Sequence, residues 1–292
     1  MPETGKLALD DAEIASMVPA GSTGEWPVAR DTQREPLWVR RQKLIVGMSS
    51  MAFLLIVWEL VARFAIDDPA VLPAPSQALY LCVLHFVVPY PSQGDTLLGH
   101  TLVSLIRITC GFLAGSLVGV AMGAAMSANR MVRYAIDPII ELLRPLPPLA
   151  FMPLLVVWFG IDELPKVVLI FIGVVPVMII ATLTGLDGVP KQMVDAAMSL
   201  GASHRYAMVH VRIRAALVPI VTGMRVAVGV SWTSIVAAEM IAATRGIGYV
   251  ILEAGNYLDT GMVFAAILMI GLVGLLMDRG LRLVLRALDP TA

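Results

Sequence analysis

Long apolar runs separated by short polar breaks set the pattern of this chain. Six runs stand out, at about 44–66, 100–126, 139–160, 165–187, 215–242 and 262–284. A helix needs about 20 mostly apolar residues to cross a bilayer core. The pattern therefore predicts an all-α integral membrane protein with six transmembrane helices. The third run is the least regular. "LRPLPPLAFMP" places Pro145, Pro147, Pro148 and Pro153 in it, and Pro176 interrupts the fourth. Proline removes a backbone donor and clashes with the preceding turn. At membrane depth such a break is tolerated only inside protein or beside a wet cavity. The break at Pro147 and Pro148 thus either shapes a pathway or gate, or bends the span at its cytoplasmic entry. The segment "APSQALYLCVLHFVVPYPSQGD" is too short and too interrupted to span, and is expected to lie along the outer surface.

Lysine and arginine orient the spans, because cytoplasmic loops carry the excess. Arg40, Arg41 and Lys43 precede the first run, and no Lys or Arg occurs between 64 and 106. Arg130 and Arg133 follow the second run, and the short "GIDELPK" follows the third. Lys191, Arg205, Arg212 and Arg214 fill the fourth loop, Arg245 alone lies in the fifth, and Arg279, Arg282 and Arg286 end the chain. This alternation places both termini in the cytoplasm. The composition agrees: 58% hydrophobic and 15% charged residues with mean hydropathy +0.82, where soluble domains carry about a quarter charged. A net charge of −1 gives no sign of nucleic acid as a partner. Residues 1–43 are expected to form a cytoplasmic tail, since their acidic start lacks the apolar core of a signal peptide. Residues 44–287 form the membrane domain and 288–292 a short tail. Two cysteines are too few for a disulfide framework, and Cys110, inside an apolar run, reads as a small buried hydrophobe.

Gly111, Gly115, Gly119 and Gly123 recur every four residues in the second run. Such a ridge lets another helix backbone approach closely, within the chain or from a second subunit. In the fifth run Arg225, Trp232 and Glu239 are seven apart and fall within about 40° of one line. An ionisable group in a span costs roughly 2.5–3.5 kcal/mol on insertion scales, so these should face the bundle interior or a cavity. Arg225 and Glu239 lie about 21 Å apart along the axis, too far to pair. Arg107 of the second run and Glu141 of the third are available partners. The resulting pairs either pin the bundle or line a solute pathway. The four histidines, at 85, 100, 204 and 210, are scattered and form no zinc motif. No catalytic or metal-binding residue is expected.

The fourth loop, residues 188–214, holds "DAAMSLGASHRYAMVHVRIR". Pro190 precedes a helix expected over about 191–200, and Gly201 interrupts it. Ala196, Ala197 and Gly201 offer little apolar area for a membrane surface. A small-residue knob rimmed by His204, Arg205, Tyr206 and His210 suits a protein cleft better. The stretch Asp195-Ala196-Ala197-Met198-Ser199-Leu200-Gly201 resembles the Glu-Ala-Ala-x-x-x-Gly loop of ABC importer permeases. Further stretches, "ELLRPLPPLAFMPLLVVWFGIDELPK", "GMRVAVGVSWTSIVAAEMIAATRGIGYVI" and "VFAAILMIGLVGLLMDRGLRLV", resemble the nitrate/sulfonate/taurine/bicarbonate branch, over about residues 45–288.

The resemblance implies a type I importer fold, a multi-pass bacterial inner-membrane location, and a pair of permease subunits, here expected to be a homodimer. It implies two ATPase subunits below, which bind ATP and Mg, and a solute-binding protein outside. It implies that the loop helix, through Asp195, Ala196, Ala197, Gly201, Ala202, His204 and Arg205, couples to the ATPase. The candidate pathway or gate set is Arg107, Glu141, Pro147, Pro148, Arg225, Trp232 and Glu239. The chain itself has no Gly-x-x-x-x-Gly-Lys-Ser/Thr to cradle ATP phosphates, so it needs no cofactor of its own and hydrolyses nothing. The expected solute is a small anion, with an aromatic acid or vitamin precursor as the alternative. A self-powered carrier would need mid-span coupling carboxylates, and no such cluster occurs. Asp195 shortens the usual Glu, and Ile213-Arg214 and Leu217-Val218 stand where the family tends to have Leu-Pro. The helix exit is therefore expected to be less kinked.

Overall fold

A computed structural model describes residues 37–288 apart from 67, 69, 92 and 93. The N-terminal tail to residue 36 and residues 289–292 lie outside the described residues. The described elements are α1 (Leu37–Phe64), α2 (Pro75–His85), α3 (Leu97–Ala128), α4 (Arg130–Leu143), a 3-10 turn (Pro148–Phe151) leading into α5 (Met152–Phe159), and α6 (Glu163–Asp187). They continue with α7 (Lys191–Ser199), α8 (His204–Ala207), a π turn (Met208–Arg212), α9 (Ile213–Ala215), α10 (Leu217–Ala242), α11 (Ile247–Asn256) and α12 (Thr260–Leu288). The chain divides into two units at Leu54–Leu55. In the first, the described part is the start of α1, whose side chains are almost all exposed. The second holds the bundle.

Five helices, including α1, are long and apolar enough to cross a membrane. The expected third span, 139–160, is corrected: it is a broken pair, Arg130–Leu143 and Pro148–Phe159, bent by 91°. Pro145, Pro147 and Pro148 remove three N–H donors within four residues, so no α-helix can run through them. Packing elsewhere makes this pair a crossing. A Cβ on Gly111 would sit 2.7 Å from Cβ of Ile170, one on Gly115 2.9 Å from Cβ of Val174, and one on Gly123 2.8 Å from Cβ of Thr182. The glycine ridge therefore seats α3 on α6 within the chain. Both numbers in each pair rise together, so α3 and α6 run parallel. The segment between them must return from the inner end of α3 to the outer end of α6, about 30 Å at 1.5 Å per residue between Arg107 and Ser127.

α10 runs antiparallel on the other side of α6. A Cβ on Gly185 would lie 3.0 Å from Pro219, and one on Gly173 3.0 Å from both Pro148 and Val230. α6 is thus the central helix, with Leu169, Ile170, Val174 and Met178 fully buried. α12 covers α10. The outer segment holds α2, whose Leu81 meets Gly261 at the start of α12. Cys110 is exposed and Cys82 buried, the reverse of the expectation for Cys110. Gly111 takes the face turned to α6, and its neighbour is rotated about 100° away. The outer loop after α10 contains α11.

Candidate functional site: a mid-membrane cleft, an outer clamp and an exposed cytoplasmic helix

The proline bend, the middle of α6 and the inner half of α10 enclose a cleft of about 410 Å³. Its walls are mainly apolar: Leu143, Pro148, Phe151, Ile172, Pro176 and Val226. Pro176 and Gly173 stand on α6 facing it, and Gly223 opens the α10 wall. Its one charged lining residue is Arg144, the first residue past α4. Arg144 pairs with no acid among the described residues. The sequence reading passed over it, because nothing local in the proline-broken turn shows that Arg144 lines a cleft.

Of the candidate pathway set, Pro148 lines this cleft. Pro147 precedes it at the bend, and Glu141 is exposed on α4. Trp232 is buried and turned toward α12, with Nε1 3.7 Å from where a Cβ on Gly274 would stand. Arg225 does not pair with Glu141. Its Nε lies 2.5 Å from Oδ1 of Asp278 on α12, and Arg282 also bonds Asp278. The 91° bend carries α4 out of line with α10, and antiparallel α12 brings Asp278 alongside instead.

Arg107 and Glu239 do meet, at the outer end. Glu239 is fully buried. Its carboxylate accepts from Arg107 Nη1 at 2.7 Å, from Ser104 Oγ at 2.8 and 2.9 Å, and from the Gly248 N–H at 2.9 Å. Arg107 also donates from Nη2 to Glu163 at 2.6 Å and from Nη1 to the Arg245 carbonyl at 2.7 Å. Ile247 N–H donates to Ser104 Oγ, and Gly246 N–H to His100 Nδ1 at 3.1 Å. With Nδ1 accepting, the ring proton sits on Nε2, which donates to the Tyr90 carbonyl at 3.2 Å. Gly246 has φ +125°, and a side chain there would run into the Glu239 carboxylate. The clamp thus straps the α10–α11 loop and the start of α6 onto α3. Beside it, Tyr90 donates to Asp259, and burial and that carboxylate push its phenol above its ordinary value. Ser104 and Glu163 escaped the sequence reading, since one lies among apolar residues and the other in a short loop.

At the cytoplasmic end α7 protrudes without a buried residue. Its end is a Schellman closure: Gly201 N–H bonds the Met198 carbonyl at 2.9 Å and Ala202 N–H bonds the Ala197 carbonyl at 3.1 Å. Gly201 has φ +89°, the left-handed conformation this closure requires. Ser203 then caps α8 by accepting from Tyr206 N–H. A shallow depression is left between Ala197, Leu200, Gly201, Ala202 and Tyr206. Leu200 is 90% exposed at its rim. Asp195, Ala196, His204 and Arg205 are exposed around it. The exit runs through a π turn at Met208–Arg212 and a one-residue break at Ala216, with the backbone still right-handed helical where it enters α10.

Helices long and apolar enough to cross a membrane, with an apolar cleft at the proline bend, mark an integral membrane protein. Residues 111–290 match the family described as binding-protein-dependent transport system inner membrane component. The chain belongs to this family. It is 40% identical over 253 residues to the taurine transport system permease protein TauC of Escherichia coli (strain K12), covering 87% of this chain and 92% of that protein. It is 30% identical over 273 residues to the putative aliphatic sulfonates transport permease protein SsuC of Bacillus subtilis (strain 168), covering 93% and 97%. In fold it matches a chain of the inward-facing MetNI methionine ABC transporter with TM-score 0.57 and 16% identity, over 64% of this chain and 94% of that one. The chain is therefore the permease subunit of an ABC importer, a non-catalytic inner-membrane component. Its energy comes from ATPase chains that work with it.

Proposed function

We propose that this permease carries a small sulfonate-type anion, of the taurine class, through the cleft at the proline bend. The observation that carries the reading is Arg144, the one charged residue lining an otherwise mainly apolar cleft at the proline bend. A guanidinium beside apolar walls, with no acid partner among the described residues, offers a passing anionic solute a charge-assisted hydrogen-bond partner. The similarity to taurine and aliphatic-sulfonate permeases supports the same solute class. α7 and its glycine closure dock the ATPase, and the exposed Leu200 is the apolar group the docking buries, worth about 1.5–3 kcal/mol if covered fully. Two copies of the chain make one transporter, each supplying one cleft and one docking helix, and a solute-binding protein loads it from outside.

Uptake by the complete transporter in a strain without other sulfonate importers tests this. Radiolabelled taurine should enter, excess nitrate should compete weakly, and Arg144→Gln should cut uptake about tenfold or more at equal complex abundance. Arg144→Lys should keep a substantial part of it. Undiminished uptake in Arg144→Gln would show that the cleft is not the route.

A further inference from the structure

A second cleft, of about 520 Å³, lies at the cytoplasmic end, where α3, α4, α6, α7 and the π turn converge. Four cations line it: Arg130, Arg133, Lys191 and Arg212, together with His204. Two carboxylates face them, Asp187 and Asp195. Asp187 is already engaged on both oxygens. Oδ2 accepts from Arg133 Nη1 at 2.7 Å, and Oδ1 accepts from Ser127 Oγ at 2.9 Å with Arg212 3.9 Å away. Arg212 is held further by the Leu186 carbonyl at 3.0 Å and by Ser127 at 3.2 Å. Arg133 Nε also lies 3.4 Å from Oδ2 of Asp137, so Arg133 and Arg212 are held side chains whose charge Asp187 and Asp137 offset. Arg130, Lys191 and His204 have no hydrogen-bond or ion-pair partner among the described residues.

The backbone adds to this field. Lys191 opens α7 at the cleft, and Arg130 opens α4, whose N-cap Asn129 already accepts from the Met131 N–H at 2.9 Å. The N-cap of α7 is Pro190, which supplies no side-chain acceptor for the first N–H groups. Unmet N–H groups and the positive ends of helix dipoles both favour an anion. Positive charge on a cytoplasmic loop follows from topology alone. What topology does not demand is its convergence from separate elements onto one concave surface around a clamped Asp187.

We propose that this cleft is an oxyanion site that takes a phosphate-type group, held by Arg130, Lys191 and His204 above the Arg133–Asp187–Arg212 base. The group comes from an anionic phospholipid headgroup of the inner leaflet or from a free anion of the same chemistry. Because Lys191 and His204 flank the docking helix, occupancy would tie α7 to the ends of α3 and α4.

The test uses the purified full chain and its Arg130→Gln/Lys191→Gln variant. Native mass spectrometry after exchange into detergent with phosphatidylglycerol or phosphatidylcholine reads the headgroup arm. Melting temperature with and without inorganic phosphate, in detergent free of anionic lipid, reads the free-anion arm. The double variant removes two of the three groups that would hold the headgroup, so it should lose on the order of tenfold or more in phosphatidylglycerol retention. A phosphate-dependent rise in melting temperature that the variant lacks would assign the free-anion source. Arg279→Gln/Arg286→Gln, cytoplasmic but outside the cleft, should keep both signals. Lys191→Gln alone guards against misfolding and should show a smaller loss. An equal loss in the Arg279/Arg286 variant, or no selectivity for either probe in the unaltered chain, would overturn the site.

Discussion

Glu239→Gln separates a pinning role from a pathway role most cleanly. The substitution keeps the shape and removes the charge. One side-chain oxygen remains to accept from Arg107 and Ser104, but an NH2 replaces the oxygen that accepts the Gly248 N–H at 2.9 Å. Two donors then oppose each other in a fully buried place, and an unmet buried donor costs about 1–3 kcal/mol. Arg107 also loses its buried counter-charge. Breaking a buried pair by removing one partner typically costs about 3–5 kcal/mol. Here Glu163 remains on Arg107, though its side chain is 63% exposed and screened by solvent, so it supplies only about 0–1 kcal/mol. A net loss of about 2–4 kcal/mol follows. For a body of this size each kcal/mol lowers the melting temperature by about 2–4 °C, giving a drop on the order of 5–10 °C. Glu163→Gln should shift it far less. Both are read by thermal melting of the detergent-purified chain, with uptake per folded complex measured on the same preparations. The reasoning fails if Glu163→Gln melts as low as Glu239→Gln. It fails equally if Glu239→Gln keeps its melting point while uptake collapses, since that outcome would mark Glu239 as part of the route.

Gly201→Trp forces a side chain into φ +89°, at a local cost of about 1–2 kcal/mol, and blocks the depression on α7. Membrane insertion should be normal while uptake and ATPase pull-down are lost, and retained uptake would refute the docking role. Gly119→Leu puts a side chain into Met178 and should abolish the folded, monodisperse protein, because overpacking a close helix pair costs about 1–3 kcal/mol or more. Gly271→Leu, with open space around it, should be tolerated. Native mass spectrometry of the complete transporter should find two copies of this chain with two ATPase copies, and a distinct second permease would refute the homodimer.

Much of this protein is legible along the chain, because membrane insertion is decided by local properties. Apolar length marks spans, lysine and arginine mark the cytoplasmic side, and Gly111–Gly123 announces a close helix contact before its partner is known. The loop helix expected over about 191–200 is also legible, since Pro190 and Gly201 bound it through backbone chemistry that depends on neighbours in sequence. Charge pairing was not. Periodicity put Arg225, Trp232 and Glu239 on one stripe, yet each meets a different environment. α12 supplies Asp278 to one end, α3 supplies Arg107 and Ser104 to the other, and Trp232 packs between α10 and α12. Arg144 and the Arg130–Lys191 cleft were equally hidden, because each depends on which distant helices the proline bend and the parallel α3–α6 contact bring together. A side chain's partner is set by a distance in space, and only the tertiary packing of helices far apart in sequence determines that distance.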